Sequence, residues 1–235
     1  MLRLNWIFRN ALSRRWLCVA LMFLSLQQLS VSGWIYLKSE LAQKLLDSAW
    51  QQTLVTQLPV KAWPWADTWP IARLQMADKN IDWLVMAGAH GEALAFGPGH
   101  ISASAKPGYG GSTIIAGHRD THFSFLQTLA LGELLQLVND RGERQSFAIT
   151  AIDIVDSAKA RLKANNERPQ LLLVTCYPFD AVSSGGSLRY VVSAELVADS
   201  EIDFATGSIT KDTETSLLPS SLVSMTASHA VRYQL

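Results

Sequence analysis

The stretch LLLVTCYPF, residues 171–179, reads as a buried strand that stops at a reactive side chain. Leu171 to Val174 are apolar or β-branched, Thr175 and Cys176 follow, and the Tyr177-Pro178 pair has to leave the strand because proline has no N–H for a sheet ladder. Working outward, the same form recurs in LRYVVSAEL (188–196), QSFAITAIDIV (145–155), ELLQLV (133–138), STIIAG (112–117), DWLVMAG (82–88) and IARLQM (71–76). Turn residues separate these runs: FGPGHI (96–101), KPGYGG (106–111), NDRGE (139–143) and SSGG (183–186), the third of which suits a hairpin. Only HFSFLQTLALG (122–132) and a stretch near 157–167 read as helical. Seven or eight strands in about 130 residues, without alternating helices, predict an antiparallel barrel or sandwich over 70–198.

The chain carries 49% hydrophobic and 17% charged residues, with 20 basic and 20 acidic side chains. That excludes a disordered chain. Beyond the N-terminus no Lys/Arg block supplies an electrostatic footprint for nucleic acid. Residues 1–15 hold Arg3, Arg9, Arg14 and Arg15 and no acid, and 16–37 hold no charge at all. Twenty-two helical residues span about 33 Å, enough for a bilayer core, and the arginines place the N-terminus in the cytoplasm. The segment reads as a retained single-pass signal-anchor, with Ser30, Val31 and Ser32 offering the small-x-small pattern of a cleaved signal peptide as the alternative. Either one exports the domain. Residues 38–58 read as a helix continuing outward, with Leu41, Leu45, Leu46 and Ala49 at helical spacing. Residues 38–69 form the helical stalk and its Trp/Pro linker, the tryptophans packing on the domain or lying at a membrane interface. Residues 199–235 read as a Ser/Thr-rich, poorly ordered tail.

Cys18 lies in the apolar segment, so Cys176 is an unpaired thiol in an exported domain. Two other side chains sit at comparable places: His118, after a strand and a glycine, and Arg189, near the start of the last strong strand. A thiol of ordinary pKa is only a few per cent ionised at neutral pH, although the thiolate is the nucleophile. An imidazole can exchange a proton with it and protonate an amine leaving group. An arginine stays cationic and can orient a carbonyl or compensate an oxyanion. Together the three suit acyl transfer from a peptide through a thioester. Taken singly, each also has a structural reading: a core cysteine, a turn histidine and a solvent-facing arginine.

The succession IIAGHRDTHF, LLLVTCYPF and SLRYVV resembles the His, Cys and Arg motifs of sortases, membrane-anchored cysteine transpeptidases of the bacterial surface. Gly117-His118-Arg119 matches several sortase classes. Leu172-Leu173-Val174-Thr175-Cys176 matches the Thr-Leu-x-Thr-Cys strand except at its first position. The AGHRDTHF form with a short N-terminal region is most similar to the sortases of Gram-negative proteobacteria, sometimes called class GN. The resemblance implies an eight-stranded β-barrel with Cys176 as nucleophile, His118 as general acid/base and Arg189 as the oxyanion or substrate-orienting residue. It also implies a secreted partner protein bearing an LPxTG-like C-terminal sorting signal, an amine acceptor, and a catalytic domain held outside the inner membrane. No cofactor or metal is called for. Thr175 and Tyr177 flank the nucleophile as pocket residues, the Tyr177 N–H being a candidate oxyanion donor. Asp120 is a candidate orienter of His118, or a turn cap. His122 is the competitor to His118.

Three rivals follow from the same residues. A metal hydrolase would use His118 and His122 as an i, i+4 pair, but Arg119 stands where the metalloprotease pattern has glutamate. A thiol peptidase would release its product to water, and a non-catalytic sortase-like module would only bind.

Overall fold

The computed structural model describes residues 2–159, 168–181 and 186–197. Its elements run α1 (Leu2–Thr56), β1 (Pro70–Met76), β2 (Ile81–Ala87), α2 (Gly91–Phe96), β3 (Gly99–His100), β4 (Ser112–Ala116), β5 (Leu134–Asn139), β6 (Arg144–Asp156), β7 (Gln170–Cys176) and β8 (Leu188–Val197), with 3-10 turns at Ala77–Lys79 and Ser124–Thr128. The eight strands close into a barrel in the order β1-β2-β3-β4-β7-β8-β6-β5.

Strand alternation sorts the side chains between the two faces of this barrel. In β7, Leu171 and Leu173 enter a core shared by β1, β2, β4, β5, β6 and β8. Their neighbours Leu172 and Val174 join Ile114, Val155 and Val191 in a second cluster on the outer face. The barrel is mixed rather than antiparallel, because β2 pairs β3 and β4 pairs β7 in parallel. Parallel neighbours need crossovers, supplied here by α2 between β2 and β3 and by the β5–β6 hairpin between β4 and β7. β3 falls within FGPGHI (96–101), whose composition predicts a turn. The helix expected over 122–132 is only the 3-10 turn Ser124–Thr128, since Phe123, Phe125, Leu126 and Leu129 are all drawn into the barrel core.

The N-terminal segments form one helix, long and apolar enough to cross a membrane. Ser25 and Ser30 donate their hydroxyl hydrogens to the carbonyls of Leu21 and Leu26, both at 2.8 Å, which satisfies polar groups inside the apolar run. Further along, Leu46, Ala49, Trp50 and Thr53 are buried at helical spacing, whereas Leu41 and Leu45 are exposed. Leu46 packs with Met86 and Ala93, joined by Trp63 and Phe96 from the linker and α2. Trp63 meets the Phe96 ring edge-on at 5.1 Å, so this tryptophan packs on the domain, while Trp65 stays exposed. The helical reading near 157–167 is a turn at 157–159 and otherwise lies outside the described residues, as does the tail from 199.

Candidate active site

Three strand ends meet at one rim. In the antiparallel β7–β8 pair Cys176 lies directly opposite Arg189, so both side chains leave the same face. In the parallel β4–β7 pair Ala116 is level with Val174, and the Gly117 N–H still donates to the Val174 carbonyl at 3.1 Å. His118 follows two residues after the end of β4, at the same end of the pair as Cys176, which closes β7. Leu172, Val174 and Cys176 alternate on the outer face of β7, as Ile114 and Ala116 do in β4. His118 is exposed, and Cys176 and Arg189 are half-buried.

The supports lie on the inner face. Thr175 is buried and donates its hydroxyl hydrogen to the Gly117 carbonyl at 2.7 Å, which ties the strand end that carries His118 to the one that carries Cys176. Gly117 itself leaves room for Phe123: a Cβ there would meet the ring carbons at 2.7, 2.8 and 3.1 Å. Phe123 in turn donates its N–H to the His118 carbonyl at 3.0 Å, closing the loop that presents the imidazole. Arg119 Nη2 donates to the Ala181 carbonyl at 2.6 Å, a second link between the loops after β4 and β7. Arg189 Nη1 donates to the carbonyls of Gly186 and Leu188 at 2.6 and 2.9 Å, so its own loop holds the guanidinium.

Two expectations change. The Tyr177 N–H donates to the Leu188 carbonyl at 3.1 Å, the last rung of the β7–β8 ladder, and is not free for an oxyanion. The Tyr177 ring stacks with Tyr190 at 6.3 Å, while Phe179 meets Tyr190 edge-on at 5.1 Å. Burial first and Tyr177 second push the Tyr190 phenol above its ordinary range. Asp120 is exposed and, among the described residues, makes no hydrogen bond to His118. It lines a groove of 510 Å³ with Arg119, Ser124, Gln127 and Tyr177 to Asp180.

His122 takes a different place from His118. It stands edge-on to Trp83 at 5.0 Å, and burial first and the nearby His118 second hold its pKa below the usual value. It lies in a turn, not on a helix, so the i, i+4 pairing the metal reading requires is absent. The packing of Phe123 under Gly117 and of Trp83 beside His122 had no sequence signal beyond an aromatic in each segment.

A family model described as Sortase domain matches residues 74–197. The chain is 30% identical over 125 residues to Sortase D of Bacillus subtilis (strain 168), which is 53% of this chain and 62% of that protein, so it spans under two thirds of that relative's length. Its fold is similar to that of a Clostridium perfringens Sortase D5 transpeptidase, with a TM-score of 0.55 at 19% identity over 68% of this chain and 99% of the other. It is also similar to a lid mutant of Sortase A from Corynebacterium diphtheriae, with a TM-score of 0.50 at 22% identity over 66% and 92% of the two chains.

Proposed function

Because the chain belongs to the sortase family, we propose that it is a membrane-anchored cysteine transpeptidase with Cys176 as nucleophile, His118 as general acid and base, and Arg189 as the group that holds the carbonyl oxygen. The observation that supports this is the pairing that sets Cys176 opposite Arg189, with the end of β4, two residues before His118, at the same rim. The Cys176 thiolate adds to the carbonyl carbon of the scissile bond. The C–N bond breaks, and His118 delivers the proton that the departing amine requires. The acyl group remains on Sγ as a thioester. An incoming amine attacks it and gives a proton to His118, and Cys176 leaves as thiolate. With the Tyr177 N–H engaged, Arg189 is the donor assigned to the oxyanion: its loop fixes Nη1, and Nε and Nη2 carry further N–H groups.

The substrate is the LPxTG-like C-terminal sorting signal of a secreted protein, and the acceptor is an amine. The apolar part of α1 is the anchor, with the arginine-rich end inside and the barrel outside. The AGHRDTHF form and the short N-terminal region support a place among the sortases of Gram-negative proteobacteria, with the barrel in the periplasm. That placement rests on those residues, the Bacillus subtilis and Clostridium perfringens relatives being of other origin.

The test is turnover of a membrane-held peptide bearing the motif, with and without added amine. Amine-dependent ligation lost in Cys176→Ala supports the reading. Product released only to water, whatever the amine concentration, makes the protein a thiol peptidase instead.

A further inference from the structure

Strand directions define two ends of the barrel. The rim that carries Cys176 also holds the end of β1 at Met76 and the start of β2 at Ile81, and the edge-on contact of Trp83 with His122 confirms that they share it. The other end holds Pro70, Ala87 and the β5–β6 hairpin around Gly142. Helix α1 lies along β1 and β2 with a definite direction. Asp47 pairs with Arg73 at 3.0 Å, and Arg73 with Asp82 at 2.6 Å, toward the rim. Seven residues later, a Cβ on Gly142 would stand 3.8 Å from Leu54 Cδ2, at the far end. Those seven residues rise about 10 Å. The strands cover a similar distance from Arg73 to the hairpin, about three residues at ~3.3 Å each. The helix therefore runs nearly along the strands, with its N-terminal side toward the rim.

Followed back toward the N-terminus, α1 continues without a break. Asp47 to Leu37 is about 15 Å of helix. Arg73 to Met76 is about 10 Å of strand. Exposed Trp34 and Tyr36, with the Lys38 ammonium 5.2 Å over the Trp34 ring, mark the aromatic and basic girdle where such a helix leaves a bilayer. The exit point thus lies only about 5 Å beyond the end of β1 by these rises.

We infer that α1 aims the catalytic rim of the barrel at the lipid surface, so that the reaction takes place at the level of the headgroups, on a polypeptide held there by a short spacer. This rests on the anchor reading above. A helix docked in the opposite direction would have lifted the site a whole barrel length away from the membrane. Here the tether and the site share one end, and a substrate embedded in the same bilayer meets the thiol without a long extended arm.

The experiment places one thiol-reactive dye on the full-length chain in lipid nanodiscs that contain a headgroup-linked quencher. The background is Cys18→Ser with Cys176→Ala. The dye sits on Gln127→Cys at the rim or on Arg144→Cys at the far end, both exposed positions. The account expects most of the emission at 127 to be lost and that at 144 to be retained. Equal quenching, or stronger quenching at 144, overturns it, as does a chain that fails to stay with the nanodisc. Since the readout needs no turnover, an enzyme that proves inactive while showing the expected quenching refutes the catalytic proposal and leaves the orientation standing.

Discussion

Replacing Gly117 by alanine puts one methyl group where the structure has none to spare. The new Cβ would meet Phe123 Cγ at 2.7 Å and Cδ2 at 2.8 Å, distances at which real Cβ atoms are not found, so something has to move. The ring cannot swing into solvent: Phe123 is fully buried and packs edge-on to Phe125 at 6.0 Å. Overpacking of a filled core costs about 1–3 kcal/mol. For a chain of this size each kcal/mol lowers the melting temperature by about 2–4 °C. The loss in activity should exceed the loss in stability, because the Gly117 carbonyl accepts the Thr175 bond and the His118 carbonyl accepts the Phe123 N–H. The assay is a double-mutant cycle with Phe123→Ala, read by thermal unfolding and by turnover. The second substitution removes Cγ and both Cδ atoms, the points of collision, so Gly117→Ala should cost less in its presence, with a coupling of about 0.5–3 kcal/mol. Strict additivity, or a Gly117→Ala variant with unchanged stability and turnover, refutes the reasoning.

Thr175→Val keeps the shape of the buried side chain but leaves the Gly117 carbonyl without its donor, at a cost of about 1–3 kcal/mol; turnover should fall with it, and Thr175→Ser should restore both. His100 and His122 have pKa values held below the ordinary 6.5 by burial, so the unfolded chain binds protons more readily than the folded one. Stability should therefore be full above about pH 6.5 and decline as the pH falls below it, and His122→Gln should flatten that decline in urea unfolding measured across this range. Asp82 acts in the same sense at lower pH: its hydrogen bond to Arg73 holds it below 3.8, so its contribution is present above that pH and is lost as the pH falls through the depressed value. Arg73→Met should remove this acid-range dependence while changing neutral-pH stability by less than about 1 kcal/mol, since both groups are partly exposed. Leu46→Ala should loosen the docked half of α1 by about 2–5 kcal/mol and expose residues 41–58 to protease before the barrel melts.

How far the sequence carried can be seen in particular elements. Strands such as β7 and β8 were legible because each is a short apolar and β-branched run bounded by turn residues. β3 was not, since Gly99-His100 after a proline has no periodicity and exists only through its partners β2 and β4. The two parallel pairings were hidden for a related reason: direction is set by the route of the connection, which local patterns do not encode. Residues 122–132 mimic a helix because their apolar positions are dictated by the barrel they cover and not by a helical turn. Within the proposed site, the positions of Cys176 and Arg189 at strand ends were legible from residue type and the strand pattern, and the structure pairs the two. The engagement of the Tyr177 N–H was not legible, because its partner, the Leu188 carbonyl, lies in a different strand. The direction of α1 along the barrel depends on contacts of Asp47 and Leu54 that no sequence pattern announces.

The most direct test of the central claim is intact-mass analysis of the full chain mixed with a motif-bearing peptide in the absence of amine. The account predicts an adduct equal to the acyl fragment, mapped to Cys176, discharged by added amine and absent from Cys176→Ala. His118→Ala and Arg189→Ala should form it orders of magnitude more slowly. Turnover without such an adduct, or an adduct on any other residue, would contradict it.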